Sequence, residues 1–261
     1  MAQVLHGDCL ELMKQLPDKS VDMILCDLPY GTTACKWDVI IPFEPLWEQY
    51  KRIIKPNEAI VLTASQPFTS QLVMSNPKWF KYEWIWEKEN GSNFPNANYS
   101  PMKVHENILI FGQFPTSPTP SKLKNYNPQF ASGRPYQILY KTNRSQNGVY
   151  RDNLNGRKSS VFDTPTPIKN GGYRYPRSVI KLNMDRGLHP TQKPVALFEY
   201  LIKTYTNEGD LILDNCAGSG TTAIAALNTG RDYILMEKEA EYIEVIHKRI
   251  ASHTVQLQLA V

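Results

Sequence analysis

Two short segments of this 261-residue chain carry the residue types that chemistry needs. The first is Asp27-Leu28-Pro29-Tyr30. It follows the apolar run Val21-Asp22-Met23-Ile24-Leu25-Cys26, so it stands at the carboxyl end of a buried strand, where open α/β sheets bind ligands. A carboxylate and a proline-flanked main-chain carbonyl can both accept hydrogen bonds from one exocyclic NH₂ group. A neighbouring aromatic ring can stack on the base that carries it. The same four residues also read as a plain strand-ending turn with Tyr30 packed in the core. The second segment is Asp214-Asn215-Cys216-Ala217-Gly218-Ser219-Gly220-Thr221-Thr222. An apolar strand over 211–213 delivers Asp214, and Gly218 and Gly220 let the backbone turn tightly before a helix begins at about Thr221. A helix N-terminus offers unpaired N–H groups to a carboxylate or phosphate. Ser219, Thr221 and Thr222 add hydroxyls, and Glu237 ends the next strand, where a ribose diol is usually gripped. The pattern suits a nucleoside-bearing cofactor, with a purely structural turn as the alternative. It contains no P-loop, and the three-glycine spacing of dinucleotide sites is missing.

The surrounding pattern says what must hold these segments. Val4-Leu5-His6 reads as a short edge strand, and Asp8 as a helix N-cap with Glu11 three residues on, a capping-box pattern. Helices are predicted over 43–54 and 68–74, and strands over 59–64, 82–86 and 106–111. The stretch 89–105, which holds Asn90, Ser92, Asn93 and Asn96, reads as loop by composition. After 189 a helix over 194–205, the strand over 211–213, a small-residue helix over 221–229 and a strand over 233–236 alternate. An amphipathic helix over 239–250 follows, with Tyr242, Ile243, Val245, Ile246 and Ile250 on its buried side. Strands alternating with helices predict a Rossmann-like, doubly wound α/β sheet.

Between the two regular blocks the composition changes. Residues 115–188 hold thirteen Lys and Arg against three Asp, a net +10 in a chain whose total is +4. Eight prolines there argue against a long helix or a central strand, and six tyrosines argue against a solvated linker. Charge concentrated in this way points to a polyanionic partner. The basic candidates for its contact are Lys122, Lys124, Arg134, Arg144, Arg151, Arg157, Lys158, Arg174 and Arg177. No apolar run is long enough to span a bilayer, and the charged opening residues do not form a signal peptide, so a cytoplasmic location is the expectation. Cys9, Cys26, Cys35 and Cys216 have neither C-x-x-C pairing nor zinc spacing, so reduced thiols and no metal site are expected.

Taken in order, the motifs resemble those of the DNA amino-methyltransferases that act on adenine N6 or cytosine N4. Asp27-Leu28-Pro29-Tyr30 is similar to their catalytic D-P-P-Y, with Leu28 in place of the first proline. Residues 214–222 are similar to their cofactor motif D-P-F-x-G-S-G-T-T, with Asn215-Cys216 in place of Pro-Phe. His189-Pro190-Thr191-Gln192-Lys193-Pro194, His6-Gly7-Asp8-Cys9 and His105-Glu106 resemble further landmarks of one subgroup. Catalytic motif first and cofactor motif last is the circularly permuted order of the beta class. The resemblance implies a catalytic half over 1–114, a target-recognition insert over 115–188 and a cofactor half over 189–261. It implies DNA as substrate and S-adenosyl-L-methionine as cofactor. Asp27, Pro29 and Tyr30 would be catalytic. Asp8 and Cys9 would lie near the cofactor's adenine, Glu237 on its ribose, His189, Ser219 and Thr221 near its carboxylate, and Asp27 near its amino group. Lys193, Asp214, Ala217, Gly218, Gly220 and Thr222 complete the expected cofactor site. The leading Asp27 favours adenine over cytosine. N4-cytosine methylation and a non-catalytic DNA-binding relative are the alternatives, and a homodimer and a cognate restriction endonuclease are partners that the resemblance raises.

Overall fold

The computed structural model describes residues 2–33, 35, 38–114, 126–138, 168–184 and 192–259. In chain order these form β1 (Ala2–His6), α1 (Cys9–Met13), β2 (Val21–Asp27), α2 (Phe43–Ile53), β3 (Ile54–Ala64), α3 (Phe68–Ser75), β4 (Phe80–Ser92) and β5 (Lys103–Phe111). There follow β6 (Ala131–Ser132), β7 (Tyr136–Ile138), β8 (Ile168–Asn170), β9 (Tyr173–Arg174), β10 (Val179–Lys181), α4 (Val195–Tyr205), β11 (Leu211–Asp214), α5 (Thr221–Asn228), β12 (Asp232–Glu237) and α6 (Ala240–Leu259).

Eight strands make one sheet in the order β1-β12-β11-β2-β3-β5-β4-β10. Within it β5 alone runs against its neighbours β3 and β4. The side chains of β2 alternate between the two faces, as a strand's pleat requires. Met23 and Leu25 join a core with α4, α5 and α6, built from residues such as Leu197, Phe198, Ala223 and Ile246. Ile24 and Cys26 join a second core with α2 and α3, through Leu46, Tyr50, Phe68 and Leu72. The result is a doubly wound α/β sheet covered on both faces, as the alternation predicts.

Asp8 caps α1, and its Oδ1 accepts from Leu10 N at 2.9 Å. The capping box is not completed, because Glu11 instead pairs with Lys14 at 2.7 Å. The 89–105 stretch expected as loop is partly strand. β4 continues to Ser92 and pairs with β5 as far as Ser92 opposite Lys103, leaving a 3₁₀ turn at Phe94–Asn96 near the tip. Antiparallel partners satisfy each other's backbone, which overrides the loop-like composition.

The chain divides into two compact units, Met1–Asn127 with Arg177–Val261, and Pro128–Pro176. The smaller unit is narrower than the compositional segment 115–188. It pairs β6 with β9 and β7 with β8. Phe130 packs against Tyr173 and Tyr175, with ring centroids 6.1 and 4.9 Å away. Residues 179–181, read as part of an irregular insert, instead form β10 and add a parallel edge strand to β4. Among the described residues no helix is long and apolar enough to cross a membrane.

Candidate active site

Four neighbouring strands, β1, β12, β11 and β2, bring the expected residues to one edge of the sheet. From β2 the chain crosses to β3 on one side, and from β11 it crosses to β12 on the other. Connections that diverge in this way open a crevice beyond the carboxyl ends of the two strands. Asp27 stands at the end of β2 and Asp214 at the end of β11, strands that pair directly through Ile24 and Leu213.

On the β2 side, Asp27 is the centre of a hydrogen-bonded group. The Tyr30 hydroxyl donates to Asp27 Oδ1 at 2.8 Å and lies 3.0 Å from Thr63 Oγ1. The Thr63 hydroxyl, from the end of β3, also donates to Asp27 Oδ1. Burial pushes the Tyr30 phenol well up, and the Asp27 and Glu106 charges add to the effect, so Tyr30 remains a neutral donor. Phe68, at the start of α3, stacks on one face of the Tyr30 ring, with centroids 5.2 Å apart and planes at 24°. Leu28, where the family carries proline, is buried in the core on the α2–α3 face of the sheet. The loop after Tyr30 is held by Asp38, whose carboxylate accepts from the N–H groups of Gly31, Thr32 and Thr33 at 2.8, 2.9 and 2.7 Å. Burial alone would raise the Asp38 pKa, but these donors overcome it and hold the carboxyl below its ordinary value.

Lys193 belongs to this side. It is 5% exposed, and its Nζ lies 2.6 Å from Asp27 Oδ2 and 3.3 Å from Glu106 Oε2. Nζ also sits 5.5 Å from the Tyr30 ring centroid. Burial works to lower the Lys193 pKa, but the two carboxylates outweigh it and raise it. Its neighbour Gln192 is the residue that reaches the glycine turn, with Ser219 Oγ donating to Gln192 Oε1 at 3.5 Å.

On the β11 side the turn is braced from below. Thr222 Oγ1 donates to Asp214 Oδ2, and Cys216 N donates to Asp214 Oδ1 at 3.1 Å. Asp214 and Thr222 are both buried, so they shape the turn from beneath. Burial pushes the Asp214 carboxyl up to about 6. Gly220 caps α5 with φ of +78°. Gly218 has φ of +50°, and a Cβ placed there would meet nothing within 4 Å, so the backbone of this turn faces open space. The Gly218 N–H donates to Glu237 Oε2 at 2.8 Å, while Lys238 and Glu239 N–H groups hold Oε1 at 2.8 and 2.9 Å. Gly7 N donates to Glu237 O at 2.9 Å, which sets Asp8 and Cys9 beside the end of β12. Ala217 is buried, and its N–H donates to Met236 O at 3.0 Å. Where the family has Pro-Phe, the Tyr50 hydroxyl donates to Asn215 Oδ1 at 2.6 Å. Cys216 lies against the Cys9 and Cys26 thiols, and burial pushes Cys26 up to about 12.

Thr63, Phe68, Glu106, Asp38 and Arg249 carry no motif that marks a role for them, except that Glu106 follows His105 in a short landmark. Arg249, from α6, contacts Ser219 O, Ser219 Oγ and Thr221 Oγ1 at 3.1, 3.2 and 3.2 Å and ties the turn to that helix. His189, Lys122, Lys124, Arg144, Arg151, Arg157 and Lys158 lie outside the described residues. In the smaller unit Arg134 is exposed, while Arg174 lies over the Tyr136 ring at 4.7 Å and donates to Asn170 Oδ1 at 2.8 Å. Arg177, in the larger unit, is exposed.

The chain is 29% identical over 277 aligned residues to the DNA adenine methyltransferase YhdJ of Escherichia coli (strain K12), covering 98% of this chain and 86% of that one. It is 26% identical over 263 residues to the type II methyltransferase M.HpaI of Haemophilus parainfluenzae, covering 96% and 74%. Its fold is similar to that in the crystal structure of the M1.HpyAVI–SAM complex, with a TM-score of 0.60, 24% identity and coverage of 95% and 100%. Residues 21–248 match the profile of the N6/N4 DNA methylases, and the chain belongs to that DNA methylase family.

Proposed function

We propose that this protein methylates the N6 amine of adenine in DNA, with S-adenosyl-L-methionine as methyl donor. The observation that carries the reading is the Asp27 carboxylate beside the Phe68-backed ring of Tyr30, on the strand next to the one that delivers the open glycine turn. The open space at Gly218 fits a ligand lying against the main chain. Glu237 would hold the cofactor's ribose, Asp8 and Cys9 its adenine, and Ser219 and Thr221 its carboxylate, with His189 as a further candidate. When bound, S-adenosyl-L-methionine supplies a methyl group on a positively charged sulfur.

The chain's own work is orientation. The nitrogen of an exocyclic amine is a poor nucleophile because its lone pair is delocalised into the ring. Asp27 and the main-chain carbonyls near Pro29 would accept its two N–H bonds, which draws the nitrogen toward tetrahedral geometry and localises the lone pair. Positioning of this kind can supply up to about 7–11 kcal/mol of a barrier. The Tyr30 ring, backed by Phe68, is the platform for the base, which must leave the duplex stack at a cost of a few kcal/mol. Asp at position 27 favours adenine, and YhdJ, to which the chain is similar, is named an adenine methyltransferase. The segment 115–188, with Arg134, Arg174 and Arg177 among its cations, is assigned to target recognition on its charge.

The test is transfer of labelled methyl to duplex DNA, followed by nucleoside analysis. Wild type is expected to yield N6-methyladenine, and Tyr30→Ala and Asp27→Ala to yield at least a hundredfold less. Label found only in N4-methylcytosine would move the assignment to the other base of the family.

A further inference from the structure

Four alternating charges run from the crevice into the sheet. Asp27 Oδ2 pairs with Lys193 at 2.6 Å, Lys193 with Glu106 Oε2 at 3.3 Å, and Glu106 Oε1 with Lys88. The chain joins the end of β2, the residue before the N-cap of α4, and the paired strands β5 and β4. Glu106 Oε2 is buried and has no hydrogen bond, so its contact with Lys193 is an ion pair without aligned donor geometry. Lys88 is anchored in turn, with its Nζ 5.1 Å from the Trp86 ring centroid.

An isolated buried ammonium would be expelled or neutralised. Lys193 avoids this because two carboxylates share it, and Glu106 avoids the same fate through Lys88. One consequence falls on Asp27. With Lys193 on Oδ2 and the Tyr30 and Thr63 hydroxyls on Oδ1, the carboxylate is held at both oxygens and cannot rotate freely. We infer that Lys193 and Glu106 are positioning residues for the methyl transfer: Lys193 locks the orientation of the Asp27 carboxylate that the target amine meets, and Glu106 locks Lys193. The inference rests on the proposed methyl-transfer reading, and it gives Lys193 a role on the substrate side of the crevice, apart from holding cofactor.

The experiment measures single-turnover methyl transfer to DNA, the dissociation constant for S-adenosyl-L-homocysteine, and the melting temperature. The variants are Glu106→Gln, Glu106→Asp, Lys193→Met, Lys193→Arg and Glu106→Gln with Lys193→Met. Expected are a rate loss of about tenfold in E106Q and a hundredfold in K193M, with affinity for S-adenosyl-L-homocysteine within threefold of wild type. The double variant should be no slower than K193M, because Glu106 acts only through Lys193, and E106D should recover part of the rate. The double variant removes one charge of each sign, so it keeps the test available if E106Q fails to fold. A folded E106Q at the wild-type rate overturns the inference. So does a double variant whose loss is the product of the single losses, or a K193M whose loss of rate is matched by lost S-adenosyl-L-homocysteine affinity. A wild type that methylates no DNA at all would instead remove the reading on which the inference stands.

Discussion

The Asp27 carboxylate takes both the Tyr30 and Thr63 hydroxyls on one oxygen, and each donor should contribute separately to its aim. Thr63→Val keeps the side chain's shape and removes one donor. It should cost about 1 kcal/mol of transition-state positioning, read as a several-fold lower methyl-transfer rate with little change in melting temperature. Asp214 makes a prediction about pH. Its folded pKa is raised from 3.8 to about 6, so the native state keeps a proton that the unfolded state releases. Stability should therefore fall as pH climbs from about 4 to about 6 and then level, by up to about 3 kcal/mol. Asp214→Asn should flatten that profile in denaturant titrations. If both proteins show the same pH dependence, the penalty does not lie at Asp214. At this scale the sequence exposes groups that sit in one motif, Asp27 with Tyr30 and Gly218 with Gly220. Thr63 and Arg249 stay hidden because each meets its partner only once distant strands and helices pack.

The turn between β11 and α5 shows how an element depends on residues without side chains. Both of its glycines sit at positive φ, where an alanine costs about 1–2 kcal/mol. They differ in what surrounds them. A Cβ on Gly220 would come within 3.1 Å of Ile246 Cγ1, whereas one on Gly218 would enter open space. Gly220→Ala should therefore lower the melting temperature more than Gly218→Ala. Gly218→Ala should weaken S-adenosyl-L-homocysteine binding more than its small stability loss would explain, as calorimetry can measure. The strands and helices of both regular blocks were legible from their periodicity. β10 was not, because three residues among prolines carry no period. It forms because the edge of β4 offers unpaired backbone, with Ile180 buried and Trp86 Nε1 donating to Leu182 O at 2.9 Å.

Across the whole molecule, the uneven charge gives Arg177 and Arg174 different expected behaviour. Arg177 is exposed, and Arg177→Ala should reduce the slope of log affinity for DNA against log salt by about 1. Arg174 is spent on Tyr136 and Asn170. Arg174→Ala should leave that slope nearly unchanged and make the smaller unit more sensitive to limited proteolysis. An unchanged salt slope for R177A would remove it from the contact surface. The chain on either side of the smaller unit is moored to regular structure. Before it, Asn127 N donates to Thr204 O at 2.8 Å at the end of α4, and after it Val179–Lys181 zips onto β4. Residues 128–176 lie in the chain between these two moorings. On the proposed reading, exchange of that segment should change the sequence methylated and leave affinity for S-adenosyl-L-homocysteine unaltered.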